Sequence, residues 1–564
     1  MFAFPRYFRN ARVRIMDSFD VIFALPYPFS DHPSFPEGIL KKALEVGGFS
    51  VGILETPFWQ RSSSFARLGR PRLFFAVISG PVDSMVLNYT SSRKRRTEDR
   101  YQLGGKGFFE GAPFSIGSKI RPDRTTLVFA NRIREEFKDV PIVIGGLEAS
   151  LRLFAHYDFQ EDRIRRSILL DSRADLAVTG MGEKQIATIA RLVDQGISIR
   201  DIAISGTARL SSSPPANEDF VHLPSLGSIA RDAMKFLESQ SMFERAVLQG
   251  KGVCQEQNGR WVIAQKAADY ASSDLDWIYG LKYSRAHRTG RSLSPALQMN
   301  LFSITSHRGC CGGCAFCSIA SHEGKRLVSR SQQSIIREVE KLTRHAAWKG
   351  HVSDIGGASA EMYGTDCLRS ACEKASCTHP APCRHLSSGG PFLDLLRQCR
   401  KIEGVKKIFV SSGIRFDLLL QHPALLEEIM VHHTGRFLRI APEHTEDEVL
   451  HLMRKPSFET LEKFVRLFQS INRRLSRRIQ LAPYLIVGHP GEKRKHVQSM
   501  AKKLRGLGLL NADVQIFTPS PGTLSTAMFF SNASPNGEPI EVEKDVNTLI
   551  RRKKLLLDHA VIPA

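Results

Sequence analysis

No segment of the chain approaches the roughly 20 consecutive apolar residues that a helix needs to cross a bilayer, so no membrane-spanning helix is expected. The first residues also lack an apolar stretch long enough for a secretory signal, because Pro26 and Pro28 interrupt the first apolar run, Val21 to Phe29. A cytoplasmic location is the expectation that follows. In that compartment thiols stay reduced, so the ten cysteines favour metal binding or catalysis over disulfides. Acidic residues are in deficit, 57 against 79 Lys and Arg, for a formal charge of +22. A chain this basic suits a polyanionic partner such as RNA or an anionic membrane surface. Yet the basic runs, Arg93-Lys94-Arg95-Arg96 and Arg473-Arg474 with Arg477-Arg478, lack the interleaved aromatics of single-strand RNA binders. No internal repeat is present.

At 564 residues the chain exceeds one ordinary core, and 42% apolar content is enough to fill two or three. Up to about residue 204, short apolar runs alternate with helical sequence. Strands are expected at Asp20 to Leu25, Ser50 to Leu54, Arg72 to Ser79, Pro141 to Ile144 and Ala174 to Thr179, with helices such as Glu37 to Val46 and Thr125 to Phe137. This alternation predicts an α/β fold, a doubly wound parallel sheet covered on both faces. Gly145-Gly146 and Gly180-Met181-Gly182 follow two of the strands, at the carboxyl ends where such sheets bind ligands. Residues 205–295 are less regular and read as a connecting region, with a loop at Ser211-Ser212-Ser213-Pro214-Pro215. Alternation resumes over 296–564. Six strands, starting with Asn300 to Thr305, predict a partial (β/α)6 barrel whose chemistry sits at the strands' carboxyl ends.

Eight of the ten cysteines lie between Cys310 and Cys383. The first group follows the first barrel strand and reads Cys310-Cys311-Gly312-Gly313-Cys314-Ala315-Phe316-Cys317. Cys310, Cys314 and Cys317 have the spacing C-x3-C-x2-C. Three thiolates can hold three irons of a [4Fe-4S] cubane and leave the fourth free to chelate a ligand. A zinc site usually asks for four protein ligands in two pairs. Gly309, Gly312 and Gly313 let the loop wrap closely. Phe316 offers a flat face on which a purine could pack, while Cys311 reads as a small loop residue.

The spacing, the aromatic before the last cysteine and the strand before the loop resemble the signature of the radical S-adenosylmethionine (SAM) superfamily. The resemblance implies that SAM chelates the open iron and that a low-potential donor of the flavodoxin or ferredoxin type reduces the cluster. Reductive cleavage of SAM then yields a 5′-deoxyadenosyl radical. It also implies roles for turns at the strand ends. Asp354-Ile355-Gly356-Gly357 resembles the turn that contacts the methionyl amine, with Ala358 standing where an acidic residue often follows. Arg415 would meet the SAM carboxylate, the substrate or a structural carboxylate, and Glu443 would make a polar contact to SAM. The turns Gly488 to Glu492 and Thr518 to Thr523 resemble the subgroup with a cobalamin-binding-like N-terminal domain. The D-x-H-x-x-G motif that supplies a histidine to cobalt is absent, Asp31-His32 coming closest, and this weighs against cobalamin. Some members of the subgroup bind cobalamin without that histidine, so it stays open as a cofactor.

Several strings narrow the resemblance to the YgiQ-type family over nearly the whole chain. They are Asp31-His32-Pro33-Ser34-Phe35, Gly145-Gly146-Leu147-Glu148-Ala149-Ser150, His156-Tyr157-Asp158, Arg165 to Leu170 and Ile440 to Thr445, with the proline-rich turn at Pro519. The reaction is not legible; methyl transfer, methylthio transfer and rearrangement fit equally. The substrate is unassigned, with RNA among the candidates. The competing reading is an iron-sulfur or zinc protein that binds RNA without cleaving SAM. A second group, Cys367, Cys372, Cys377 and Cys383, lies in an insertion at 366–390 after the second barrel strand and could hold another iron-sulfur cluster or zinc.

Overall fold

The structure, a computed structural model, describes residues 18–110, 116–288, 293–368, 372–509 and 511–560. Its largest element is a nine-stranded sheet. The strand order is 220–223, 252–257, 260–264, 207–211, 176–178, 142–145, 74–78, 21–25, 51–55. The last five pair in parallel throughout. Their side chains alternate between two cores. Ile22, Ala24, Phe75, Val77, Ile142 and Ile144 face one side, and Val21, Phe23, Leu25, Phe74, Ala76 and Val143 face the other. A sheet buried on both faces explains why these strands read as unbroken apolar runs.

The stretch read as a connecting region instead adds four strands to the sheet, Thr207–Ser211, Phe220–Leu223, Gly252–Gln257 and Arg260–Ala264. Three of the added pairings are antiparallel. The hairpin between the last two turns at Asn258-Gly259, both with positive φ (55° and 75°). Asn-Gly is the sequence a two-residue hairpin turn prefers, and it was the available signal.

The barrel follows. Ser303–Thr305 pairs in parallel with Asp354–Gly356, and His351–Val352 with Lys407–Ile408. Ile414 bridges in parallel to Ile440. Phe437–Glu443 then pairs with Gln480–Val487, and that strand with Asp513–Ile516, again in parallel. Helices Gln332–Thr343, Gly390–Arg400, Phe458–Arg474 and Arg494–Gly506 cover the outside, and their apolar faces form one continuous core with the strands. The first strand is shorter than expected. Residues up to Asn300 instead form the helix Pro295–Asn300, because Ser294 caps its N-terminus and Pro295 occupies its first turn. Among the described residues no helix is long and apolar enough to cross a membrane.

Candidate active site at the cysteine loop

The cysteine loop leaves the first barrel strand and is anchored on all sides. Cys310 N–H donates to Gly324 O, Ala315 N–H to Met453 O, and Ser525 N–H to Ala315 O. These bonds hold the loop across the barrel mouth, against the segments after the fourth and sixth strands. Gly309 has φ 86°, and a Cβ there would stand 2.2 Å from Arg326 O, so only glycine closes this turn.

The three sulfurs of Cys310, Cys314 and Cys317 feel one another. Burial pushes the Cys310 thiol up to about 11 and Cys317 up to about 12, with Cys314 the next cause in both. The N–H groups of Gly312 and Ile319 donate to the Cys310 and Cys317 sulfurs. Among the described residues no three His, Cys, Asp or Glu side chains close round a point that one metal ion would fill, this triplet included.

Charged groups line the same mouth. Arg415 is 6% exposed. It forms a double hydrogen bond with Asp417, at 3.2 and 2.9 Å, and its Nη1 lies 3.5 Å from the Cys314 sulfur. Glu443 sits at the end of the fourth strand with φ 66°, a conformation that costs energy outside glycine and gathers at functional sites. Burial raises its pKa; Lys455 and Arg415 oppose the shift, and Lys455 Nζ lies 3.8 Å away. Gly356 and Gly357 close the second strand. A Cβ at Gly356 would meet Ser412 Oγ at 2.6 Å, and one at Gly357 would meet the His307 ring at 2.6 Å. Phe316 packs into an apolar cluster with Phe517 and Phe529, and its ring is edge-on to His489 at 6.4 Å.

Two residues here went unnoticed in the sequence. Position 358 carries no acid, but Glu361, in the short turn Ala360–Met362, does. It is 2% exposed. Its Oε1 accepts from Arg415 N–H at 3.0 Å and from Ser359 Oγ at 2.7 Å, while Oε2 is buried without a partner. Burial pushes it up to about 7, and it acts electrostatically on Cys310. Lys455 is likewise buried, at 4% exposure. No local pattern marks either one; each is defined by what the barrel brings beside it.

In the second cysteine group, Cys377 and Cys383 share an apolar cluster with Cys310 and Cys311. Cys377 turns to Cys311. Cys383 follows it through a bond from its N–H to Cys377 O. Cys367 pairs with Leu386 in a two-residue ladder. Among the described residues no three His, Cys, Asp or Glu side chains, in this group or the first, are set to hold a single metal ion, and the backbone of the insertion spends its hydrogen bonds on the cysteine loop and on its own ladder. Cys377 is lowered to about 6, chiefly by the hydrogen bond from Cys311 and with Lys325 and Lys374 nearby.

The barrel mouth faces the N-terminal sheet. Glu183, just after the fifth parallel strand, pairs with Arg308 at 2.5 Å, and Ser150 meets His322 Nδ1 at 3.0 Å. His32 has both ring nitrogens engaged, by Ser34 N–H and by Arg285, so this arrangement offers no histidine from that site to a cobalt.

A model described as Radical SAM N-terminal matches residues 4–303, and one described as Radical SAM superfamily matches 304–504. A UPF0313 protein of Geobacter sulfurreducens is 41% identical over 564 residues, covering 98% of this chain and 91% of its own. A UPF0313 protein of Methanocella arvoryzae is 40% identical over 542 residues, covering 94% and 88%. Among solved structures, TsrM of Kitasatospora setae, a radical SAM methyltransferase with cobalamin and a [4Fe-4S] cluster bound, matches 90% of this chain and 77% of its own. The TM-score is 0.50 at 16% identity, a likeness of fold. A protein of this fold thus carries cobalamin, and the leaning against it from the missing motif is not borne out. Taken with the barrel, the cysteine loop and relatives aligned almost end to end, these matches establish that the chain is a radical SAM enzyme of the UPF0313, or YgiQ-type, family.

Proposed function

We propose that Cys310, Cys314 and Cys317 hold a [4Fe-4S] cluster whose open iron receives SAM. The observation that carries this reading is the ring of buried charges round the loop. An α-amino acid presents an ammonium and a carboxylate together. Glu361 and Glu443 suit the ammonium; Glu361 has an orphaned oxygen ready for it. Arg415 and Lys455 suit the carboxylate, and in a site this dry such charge-assisted bonds count for more than in water. Gly356 and Gly357 let backbone approach the ligand where no side chain has room. Phe316 offers its ring to the adenine. When bound, the cluster supplies the electron that splits SAM reductively into methionine and a 5′-deoxyadenosyl radical. A low-potential donor of flavodoxin or ferredoxin type would supply that electron.

The protein's part is positioning and exclusion of water. We assign that work to a barrel unit from residue 296 onward, with the N-terminal sheet closing its mouth through Glu183, Ser150 and Gly180. Whether cobalamin lies on that sheet is a matter for a cobalt assay on protein from cobalamin-fed cells. Anaerobic reconstitution followed by dithionite and SAM should release 5′-deoxyadenosine. In Cys314→Ala the yield should fall at least about a hundredfold, with helix content unchanged by circular dichroism. A fully loaded wild-type protein that releases none would overturn the proposal.

A further inference from the structure

Beside the three proposed ligands lies a pair of sulfurs that this chemistry does not use. Cys311 is 4% exposed and Cys377 8% exposed. They lie in one buried cluster with Met362, whose sulfur accepts from the Cys311 thiol at 3.9 Å, and Cys377 N–H donates to Cys311 O at 2.9 Å. The approach is built from both sides. Ser376 Oγ donates to Gly312 O at 2.6 Å, and Thr378 Oγ1 reaches the same oxygen at 3.5 Å. Gly313 has φ 58°, and a Cβ there would stand 1.9 Å from Ala375 O. The insertion is thus seated directly on the cysteine loop. Buried thiols commonly serve as small apolar filler, but filler does not require two of them in one cluster on backbones hydrogen-bonded to each other. Residues joined by a main-chain hydrogen bond also keep their Cα atoms within the roughly 4.4–6.8 Å that a disulfide spans.

We propose that Cys311 and Cys377 form a redox site, a dithiol that a small-molecule disulfide such as glutathione disulfide converts to an internal disulfide. One protein sulfur attacks glutathione disulfide, forming a mixed disulfide and releasing one glutathione. The second protein sulfur displaces the other glutathione. Two protein thiols are oxidised, one disulfide is reduced to two glutathiones, and the two thiol protons leave with them. The closed pair fastens the insertion to the loop beside Cys310, so the state of the pair sets how firmly that loop is held.

The test uses the full chain with its cluster reconstituted, kept without oxygen in reduced glutathione and then in glutathione disulfide. After acid quench, alkylation and digestion, mass spectrometry should find a Cys311–Cys377 peptide at least about tenfold more abundant in the oxidised sample. Cys311→Ser and Cys377→Ser should each abolish it, and Cys372→Ser should leave it. Independent alkylation of both thiols in the oxidised sample, or pairing of Cys377 with Cys372 or Cys383, overturns the proposal. So does zinc or extra iron that both single variants lose, since that reports a metal at the pair. A disulfide to Cys310, Cys314 or Cys317 would sink the cluster assignment as well. A missing Cys311–Cys377 bond with the iron content intact would sink the thiol pair alone.

Discussion

Glu361 shows how much one carboxylate can carry when it is buried with a half-satisfied oxygen. Its neutral isostere keeps the bonds to Arg415 N–H and Ser359 but offers no negative charge. Glu361→Gln should therefore weaken SAM binding about tenfold, the worth of one charge-assisted bond, while the melting temperature holds; equilibrium binding on cluster-loaded protein decides this. The same residue sets a pH trend in the cluster-free protein. Burial raises its folded pKa to about 7, above the unfolded value, so the native state binds the extra proton. Its contribution is complete at low pH and is lost as pH rises towards 7, at about 1.4 kcal/mol per unit. Urea midpoints for wild type and Glu361→Gln should diverge over that window, the variant being the flatter. Gly313→Ala is a harsher change. With φ 58° and Ala375 O in the way, the insertion must lift off the loop, and a stability loss of about 2 kcal/mol or more is expected by denaturant titration.

Between elements, the contact that matters most is the one from the N-terminal sheet to the cysteine loop. Arg308 leaves the first barrel strand two residues before Cys310, and its partner Glu183 follows the fifth parallel strand. The two side chains are 11% and 5% exposed, and Tyr279 and Tyr270 hydroxyls complete the group. Removing one member of such a pair strands a buried charge, at a cost of about 3–5 kcal/mol. Arg308→Met should lower the denaturation midpoint accordingly, and the double change with Glu183→Gln should recover a large part of the loss. If the single change left the midpoint unmoved, the sheet would not be supporting the loop through this pair. The fifth barrel turn is braced similarly. Glu492 binds Arg552 of the last helix at 2.9 Å, and His489 meets Ser525 Oγ at 2.7 Å.

For the molecule as a whole, buried neutral histidines favour unfolding in acid. Burial, opposed in part by hydrogen bonds, depresses His156 and His433 to about 4 and His489 to about 3. A folded pKa below the unfolded value means that the unfolded chain binds more protons in the window between the two. Stability is then complete above about pH 6.5 and falls as pH drops towards 4, by about 1.4 kcal/mol per unit for each group. Buried carboxylates such as Glu361 act in the opposite sense over the same window, so the readout is the difference: from pH 7.5 down to 5 the urea midpoint of His433→Asn should fall less than that of wild type.

The residues themselves determined the parallel strands, the barrel and the candidate ligands, because each is a local pattern. A short unbroken apolar run such as Val21 to Leu25 suits a strand covered on both sides, and C-x3-C-x2-C is a spacing along one loop. The partners that complete the site are not local. Glu361, Arg415 and the pair Glu443 and Lys455 follow three different strands and meet only because the barrel closes. Cys377 leaves its sequence neighbours for Cys311 because Ser376 and Thr378 bond Gly312. Spacing records which groups can hold a metal together; which groups actually face each other is decided by where the backbone places its hydrogen bonds.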